Sequence, residues 1–272
     1  MNSYAKKTSP TLLEARFEEC RRKARSILND LMVEEPSEID LMAVVGFIGN
    51  LTVEEGGLDG AEGRILWGQT GAAVRIKAGL WPGRRRFTLA HEIGHFLLHK
   101  HNSQGRFDTG HTFAIWNEAG EEAEANVFAA ELLMPDYLFK PRLKRQAPSF
   151  KNLDQLAEDF AASRLSTALQ YVHYCHEQVA LVFSRNGQIV WSKSARDFPW
   201  AIRKGELSKD SGAGALAADN PNETGRMAPT PVYAWLTDFE RDRDHDIMEE
   251  SRVVSAYGGI LSLLWAKDDL EE

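Results

Sequence analysis

Two histidines and a glutamate are spaced along the chain in a way that suits metal-assisted hydrolysis. Residues 84–99 read RRRFTLAHEIGHFLLH and contain His91, Glu92 and His95. Because a helix advances about 100° per residue, His91 and His95 lie one turn apart on one face and could bind one divalent metal ion. Glu92 is then placed to accept a proton from a water molecule beside the metal. The pattern therefore predicts a metal site with Glu92 as the general base.

The residues around this motif are mostly apolar, which predicts a largely buried helix. A buried histidine needs a hydrogen-bond partner or a ligand, whereas a solvated histidine needs neither. A core helix whose histidines bond neighbouring carbonyl groups is the alternative, but the motif and its surroundings together favour the metal site. The apolar residues are Phe87, Leu89, Ala90, Ile93, Phe96, Leu97 and Leu98.

A catalytic zinc site usually has a third protein ligand, and one candidate is His101. This residue stands at the third histidine of the pattern HExxHxxGxxH. The backbone must bend sharply at the glycine of that pattern, and this chain has Leu98 there. We therefore interpret His101, like His99 and His111, as an exposed or loop histidine, although any of them could polarise a substrate.

The favoured third ligand is Glu122, on a helix predicted from about Asn117 to Pro135. Asn126 stands one turn after Glu122 and could hold a histidine ring in its orientation and tautomer, or it could bond nearby backbone instead. Glu121 and Glu124 point to other sides of the helix. Acidic residues at a helix N-terminus are also favoured by the helix dipole alone, so the role of Glu122 as a ligand is a hypothesis.

Two segments of the chain together resemble the ImmA/IrrE family of metallopeptidases. They are residues 86–99, RFTLAHEIGHFLLH, and residues 122–135, EAEANVFAAELLMP. The resemblance implies that His91, His95 and Glu122 bind the metal and that Glu92 is the general base. It also implies a protein substrate, a helix-turn-helix transcriptional repressor encoded nearby, whose cleavage switches on stress-response or mobile-element genes. Zn2+ is the expected metal, although two histidines and a carboxylate also accept Mn2+ or iron.

The composition limits the partners and the compartment. The formal net charge of −8 argues against a general affinity for nucleic acid. The start of the chain has no apolar core of a secretory signal, and no stretch approaches a membrane-spanning length. Cys20 and Cys175 lack the spacing of a metal site or a disulfide framework, so we expect two free thiols. A cytoplasmic protein that does not bind membranes fits these features.

The pattern of helices and strands predicts an α+β protein in three parts. We expect a zincin-like peptidase core in residues 1–146, a short helix-turn-helix-like segment in 147–176, and an antiparallel β-rich, possible sensor domain in 177–272. The core is predicted to contain helices over 11–32 and from Ser37 to about Gly46, then strands over 51–53, 64–67 and 73–76. By resemblance to zincin peptidases, residues 73–78 are expected to be an edge strand that lies along the substrate.

The second half of the chain carries helix and hairpin signals. Two short helices are predicted in 149–175 with a break near Ala162 and Ser163, but their scarce basic residues disfavour direct DNA binding. The strongest hairpin signal is at 178–192, where two alternating segments flank an Asn-Gly turn. Residues 205–228 are expected to form a long loop and residues 231–236 a strand. A second hairpin is predicted between 252–256 and 260–266.

Two other functions are compatible with the sequence. A metal-stabilised regulator could bind and sequester a repressor without cutting it, although such a site has no need of a base at Glu92. A hydrolase of small amides or peptides is the other, and it would need a narrow closed pocket in place of an open groove.

Overall fold

The computed structural model describes residues 11–99, 119–143, 147–219, 226–239 and 244–267. Two compact units are present, one ending at Pro135 and the other comprising the described residues from Asp136 onward. Both units combine helices with sheet, which confirms the predicted mixed α+β composition. The division into 1–146, 147–176 and 177–272 stays a prediction. Within the described ranges, no helix has both the length and the apolarity that a bilayer crossing requires.

The first unit begins with two helices whose N-terminal ends are capped by side chains. Helix α1 spans Leu12–Asp30, and the Thr11 hydroxyl accepts the Glu14 N–H while the Glu14 carboxylate accepts the Thr11 N–H. Helix α2 spans Leu41–Ile48 and is capped by Asp40, after a 3₁₀ turn at Pro36–Glu38. Ser37 was predicted to cap the second helix, so the cap was placed three residues too early, where the chain forms the 3₁₀ turn.

A three-stranded sheet follows, with strands β1 Leu51–Gly56, β2 Gly63–Trp67 and β3 Ala72–Lys77. The strand order is β1-β3-β2, with β3 parallel to β1 and antiparallel to β2. The three strands lie where the sequence predicted them. The expectation that residues 73–78 form an edge strand was wrong, because β3 is hydrogen-bonded on both sides. Strand β2 is an edge of this sheet, and it packs against the helix that carries the HExxH motif.

That helix, α3, spans Pro82–Leu98 and is buried along most of its length. It packs closely against α4, Glu121–Leu133. The contact depends on Gly94, since a Cβ there would lie 3.1 Å from Phe128 Cδ1 and 3.2 Å from Ala125 Cα. Glycine at this position of the motif therefore lets the two helices approach and brings their polar side chains together.

The second unit contains three helices followed by a larger sheet. Helix α5 spans Asp136–Leu143, α6 Phe150–Asp159 and α7 Arg164–Tyr174. The break between α6 and α7 falls at 160–163, as predicted. Helix α5 has no counterpart among the elements predicted from the sequence, and Pro141 lies near the C-terminal end of this short helix.

The six-stranded sheet has the order β6-β5-β4-β9-β8-β7 and is antiparallel throughout. Both predicted hairpins are present. In the first, Asn186 and Gly187 both have positive φ values, 52° and 71°, as a tight primed turn requires. The strands are β4 Val179–Arg185, β5 Gln188–Ser194, β6 Gly205–Glu206, β7 Ala228–Pro231, β8 Asp246–Val254 and β9 Gly259–Trp265.

Two predictions in this unit were wrong in part. The segment 205–228 is not one long loop, because it contains β6 and an eighth helix, α8, over Gly212–Asp219. Residues 231–236 are not a strand, because the chain enters a 3₁₀ turn at Val232–Ala234 directly after β7. Residues 220–225 lie outside the described residues.

Helix α8 is held by a carboxylate from β8. Glu249 is 3% exposed and accepts hydrogen bonds from the backbone N–H groups of Gly212 and Ala213, at 2.9 and 2.8 Å. It also accepts from Trp235 Nε1 at 2.8 Å and from the Ser251 hydroxyl at 2.6 Å. A buried anion at a helix N-terminus is favoured by these donors and by the helix dipole.

Candidate metal centre

Helices α3 and α4 bring three candidate ligands together. Within the part of the chain that the structure describes, His91, His95 and Glu122 form the one cluster of three whose ligand atoms all lie within 4.8 Å of one another. His91 Nε2 and His95 Nε2 are 3.0 Å apart, and each lies 3.3 or 3.4 Å from a Glu122 oxygen. Ligands about 2.0 Å from a tetrahedral zinc are separated by about 3.3 Å, so the spacing suits such an ion.

The contact of His91 Nδ1 also supports an orientation in which Nε2 faces the other two candidate ligands. His91 Nδ1 lies 3.0 Å from Asn126 Oδ1, the contact that the sequence offered as one of two roles for Asn126. An amide oxygen only accepts, so the proton of a neutral His91 is on Nδ1 and the lone pair of Nε2 points toward His95 and Glu122. When His95 also carries its proton on Nδ1, these three groups present lone pairs to one another, an arrangement that a bound cation stabilises. The donor set therefore fits a divalent metal.

His99 occupies the corresponding position behind His95. Its Nδ1 lies 3.0 Å from His95 Nδ1, and its Nε2 lies 3.0 Å from Glu124 Oε2. The interpretation of His99 as an exposed or loop histidine was wrong, since it is 7% exposed at the end of α3. His101 and His111 lie outside the described residues.

Glu124 is held in turn by Arg16 of α1. The Arg16 guanidinium lies 2.9 Å from Glu124 Oε2. Burial disfavours ionisation of Glu124, but hydrogen bonds from Arg16 and His99 outweigh it and lower the pKa of Glu124. Burial also lowers the pKa of His99, against the opposing effect of Glu124, so His99 is neutral near pH 7. The group is thus a neutral imidazole beside an ionised carboxylate.

Glu92 is 1% exposed, and its carboxylate lies against the backbone of β2. An added Cβ on Gly63 would lie 2.4 Å from Glu92 Oε1 and 2.6 Å from Thr88 Cγ2. Only glycine therefore allows the edge strand to pass this close to Glu92. The sequence analysis missed this contact, because no residue near Gly63 in the sequence indicates that the strand approaches Glu92.

The Arg86 side chain contacts backbone near the start of α2. Its Nη2 donates to the Ile39 carbonyl at 3.1 Å, which anchors α3 to the segment before α2. Burial lowers the pKa of Arg86, and this effect is partly offset by the negative charge of Asp40.

The sequence analysis missed His99 and Arg16 as parts of the site. The four-residue spacing of His91, His95 and His99 was a usable signal for the first, while nothing local marks Arg16.

Comparison with known proteins adds a family and a fold. Residues 52–170 match the Peptidase_M78 family model, described as the IrrE N-terminal-like domain. No curated protein matches the sequence significantly. A solved Mycobacterium tuberculosis transcriptional regulator is similar in fold, with a TM-score of 0.52 at 12% identity, over 92% of this chain and 76% of that one. The matched segment includes both the HExxH helix and the acidic helix α4, and it supports membership of the ImmA/IrrE family of metallopeptidases.

Proposed function

We propose that the protein is a metal-dependent endopeptidase that cleaves a helix-turn-helix transcriptional repressor encoded nearby, and so relieves repression of stress-response or mobile-element genes. The observation that carries this proposal is the convergence of the ligand atoms of His91, His95 and Glu122 within 4.8 Å. Glu92 is buried in α3, the helix that carries both histidines. Membership of a peptidase family supports hydrolysis. A fold shared with a transcriptional regulator is compatible with a regulatory role.

In this proposal His91, His95 and Glu122 hold the metal, which is Zn2+ by ligand type, with Mn2+ or iron as alternatives. When bound, a divalent metal supplies Lewis-acid chemistry that polarises the scissile carbonyl group and acidifies water. Asn126 fixes the ring and the tautomer of His91.

Glu92 performs the proton transfers. Its carboxylate accepts a proton from the attacking water and then delivers that proton to the nitrogen of the departing amine. The low exposure of Glu92 keeps bulk water from competing for the proton, and contact with β2 limits the movement of the carboxylate. We assign the peptidase to a zincin-like core within residues 1–146, with a helix-turn-helix-like segment in 147–176 and a possible sensor domain in 177–272.

Intact mass spectrometry of the neighbouring repressor, incubated with the protein and Zn2+ or Mn2+, tests the proposal. One new pair of fragments is expected, and it should be absent with chelator and with Glu92→Gln. The variant should retain its metal, because the substitution changes no proposed ligand. Fragments formed at the wild-type rate by Glu92→Gln would refute the general-base role.

The same experiment separates the alternatives. An uncut repressor that comigrates with the protein would favour the regulator that sequesters without cutting. Hydrolysis of short peptides but not of the repressor would favour the small-substrate hydrolase. The intact carboxylate at Glu92 is the reason that cleavage is preferred to sequestration.

A further inference from the structure

A line of polar contacts leads from the candidate metal ligand His95 to the N-terminal helix. His95 Nδ1 contacts His99 Nδ1, His99 Nε2 contacts Glu124 Oε2, and Arg16 contacts the same carboxylate oxygen. The three distances are 3.0, 3.0 and 2.9 Å. These groups come from α3, α4 and α1. The contacts therefore join three helices behind one ligand.

The chemistry of each group allows one consistent placement of protons when a metal is bound. His95 must offer its Nε2 lone pair, so its proton is on Nδ1 and is donated to His99. His99 then accepts with Nδ1 and carries its own proton on Nε2, which it donates to Glu124. Glu124, a carboxylate that only accepts, receives a second hydrogen bond from the Arg16 guanidinium. Every donor in this line faces an acceptor.

Helix α1 lies outside the segment that matches the family model, which begins at residue 52. It is nevertheless joined to α4 by two ion pairs. Arg16 binds Glu124 in the line just described, while Arg25 binds Glu131, which is fully buried, at 3.0 Å. The two pairs attach the same two helices, and the first continues through His99 to the candidate ligand His95. They form a matched pair for experiment.

We propose that His99, Glu124 and Arg16 are positioning residues that fix the ring orientation and tautomer of His95, and that α1 is thereby part of the metal centre. This inference rests on the proposed role of His95 as a metal ligand. None of the three residues touches the substrate in this scheme. They act on metal binding through His95, as partners of ligating histidines do in other metalloproteins.

The first test measures the affinity of the purified full chain for Zn2+ by competition with a chromogenic chelator, without any substrate. His99→Phe removes both hydrogen bonds and should weaken Zn2+ binding by about 10- to 100-fold. His99→Asn offers an amide oxygen where Nδ1 of histidine lies, so it should recover most of that loss. His176→Phe, at an exposed histidine of the second unit, is the control and should bind Zn2+ like the wild type.

The second test compares the two ion pairs. Arg16→Ala should weaken Zn2+ binding several-fold, whereas Arg25→Ala should lower the Tm and leave Zn2+ affinity unchanged. Because Arg16 acts through His99, the double variant Arg16→Ala/His99→Phe should bind no more weakly than His99→Phe alone. A merely structural role would give additive losses. If His99→Phe does not fold, the comparison of Arg16→Ala with Arg25→Ala still decides the question.

Three results would overturn the inference. The first is wild-type Zn2+ affinity in His99→Phe. The second is a Zn2+ affinity of His99→Asn that is no higher than that of His99→Phe. The third is an equal loss of Zn2+ affinity in Arg16→Ala and Arg25→Ala. Failure of the proposed function looks different, since then the wild-type chain binds no metal or binds metal and cleaves nothing. Metal affinity thus reports on the positioning residues separately from cleavage.

Discussion

Glu122 in the first unit and Glu249 in the second both lie where polar side chains meet, but their neighbours differ in kind. Glu249 is buried and accepts four hydrogen bonds from backbone, indole and hydroxyl donors. The Glu122 side chain is 29% exposed and faces imidazole nitrogens that offer lone pairs when His91 and His95 are oriented by their Nδ1 contacts. A carboxylate surrounded by donors stabilises a fold, whereas one that faces lone pairs and remains accessible suits a cation that arrives from solution.

Removal of Glu122 is expected to have the largest effect on metal content. Glu122→Ala should reduce bound Zn2+ to the level of chelator-treated protein, because two histidines alone hold zinc weakly. Elemental analysis after gel filtration measures the occupancy. Glu121→Ala removes the same charge one residue earlier and should keep its metal. Full occupancy in Glu122→Ala would refute the ligand assignment.

Gly63→Ala should abolish most catalysis and spare metal binding. The added Cβ would overlap Glu92 Oε1, so the carboxylate must move away from its position, and we expect a loss of about 100-fold in cleavage rate. Gly57→Ala is the control, since a Cβ there meets nothing within 4 Å. Rates of fragment formation and Zn2+ affinity are measured together. A loss of both would mean that the substitution disturbs α3 and not Glu92 alone.

In contrast to Glu122→Ala, Glu249→Gln should leave Zn2+ binding unchanged and lower the stability of the second unit. The amide cannot accept with both of its terminal atoms, so at least one buried donor loses its partner, at a cost of about 2–3 kcal/mol. Hydrogen–deuterium exchange should increase over α8 and residues 228–236. Glu206→Gln, at an exposed position, is the control. Loss of zinc without faster exchange would contradict the comparison.

The smallest effect is expected for the two thiols, which should not react with an alkylating reagent in the folded chain. Cys20 and Cys175 are buried and free, as expected from the sequence. Burial raises the pKa of Cys20 to about 11 and that of Cys175 to about 12, so both remain protonated and unreactive near pH 8. Iodoacetamide should label neither thiol in the folded chain and both in urea. Fast labelling of Cys20 alone would indicate that α1 opens readily from the first unit.

Local signals in the sequence were sufficient for much of the fold. The Asn-Gly turn at 186–187 needs positive φ at two consecutive positions, which few residue pairs adopt, so the first hairpin could be located to within a residue or two. Helix α3 and its ligand spacing follow from residues within one segment. The same holds for Asn126 and Glu122, which share a face of α4.

Features that depend on distant residues could not be predicted in this way. The order β1-β3-β2 depends on which strand crosses to which edge, and the alternation of residues 72–77 is compatible with an edge or a central strand. Helix α8 was interpreted as a loop because of its glycines, and its N-terminus is held by Glu249, which is 37 residues away from Gly212. His99 is a mixed case: its four-residue spacing from His95 was a usable local signal, but its second partner, Glu124, is 25 residues away in the sequence.

The contact of Gly94 with Ala125 sets the tolerance of the centre to insertions and deletions. A slip of α4 by one residue would carry Glu122 about 1.5 Å along the helix axis and about 100° around it, whereas metal–ligand distances tolerate only about 0.2 Å. The three converging ligands all lie within α3 and α4, so the centre depends on the spacing of residues inside each helix. A single inserted residue between Glu122 and Ala125 would separate the ligand from the surface that aligns it.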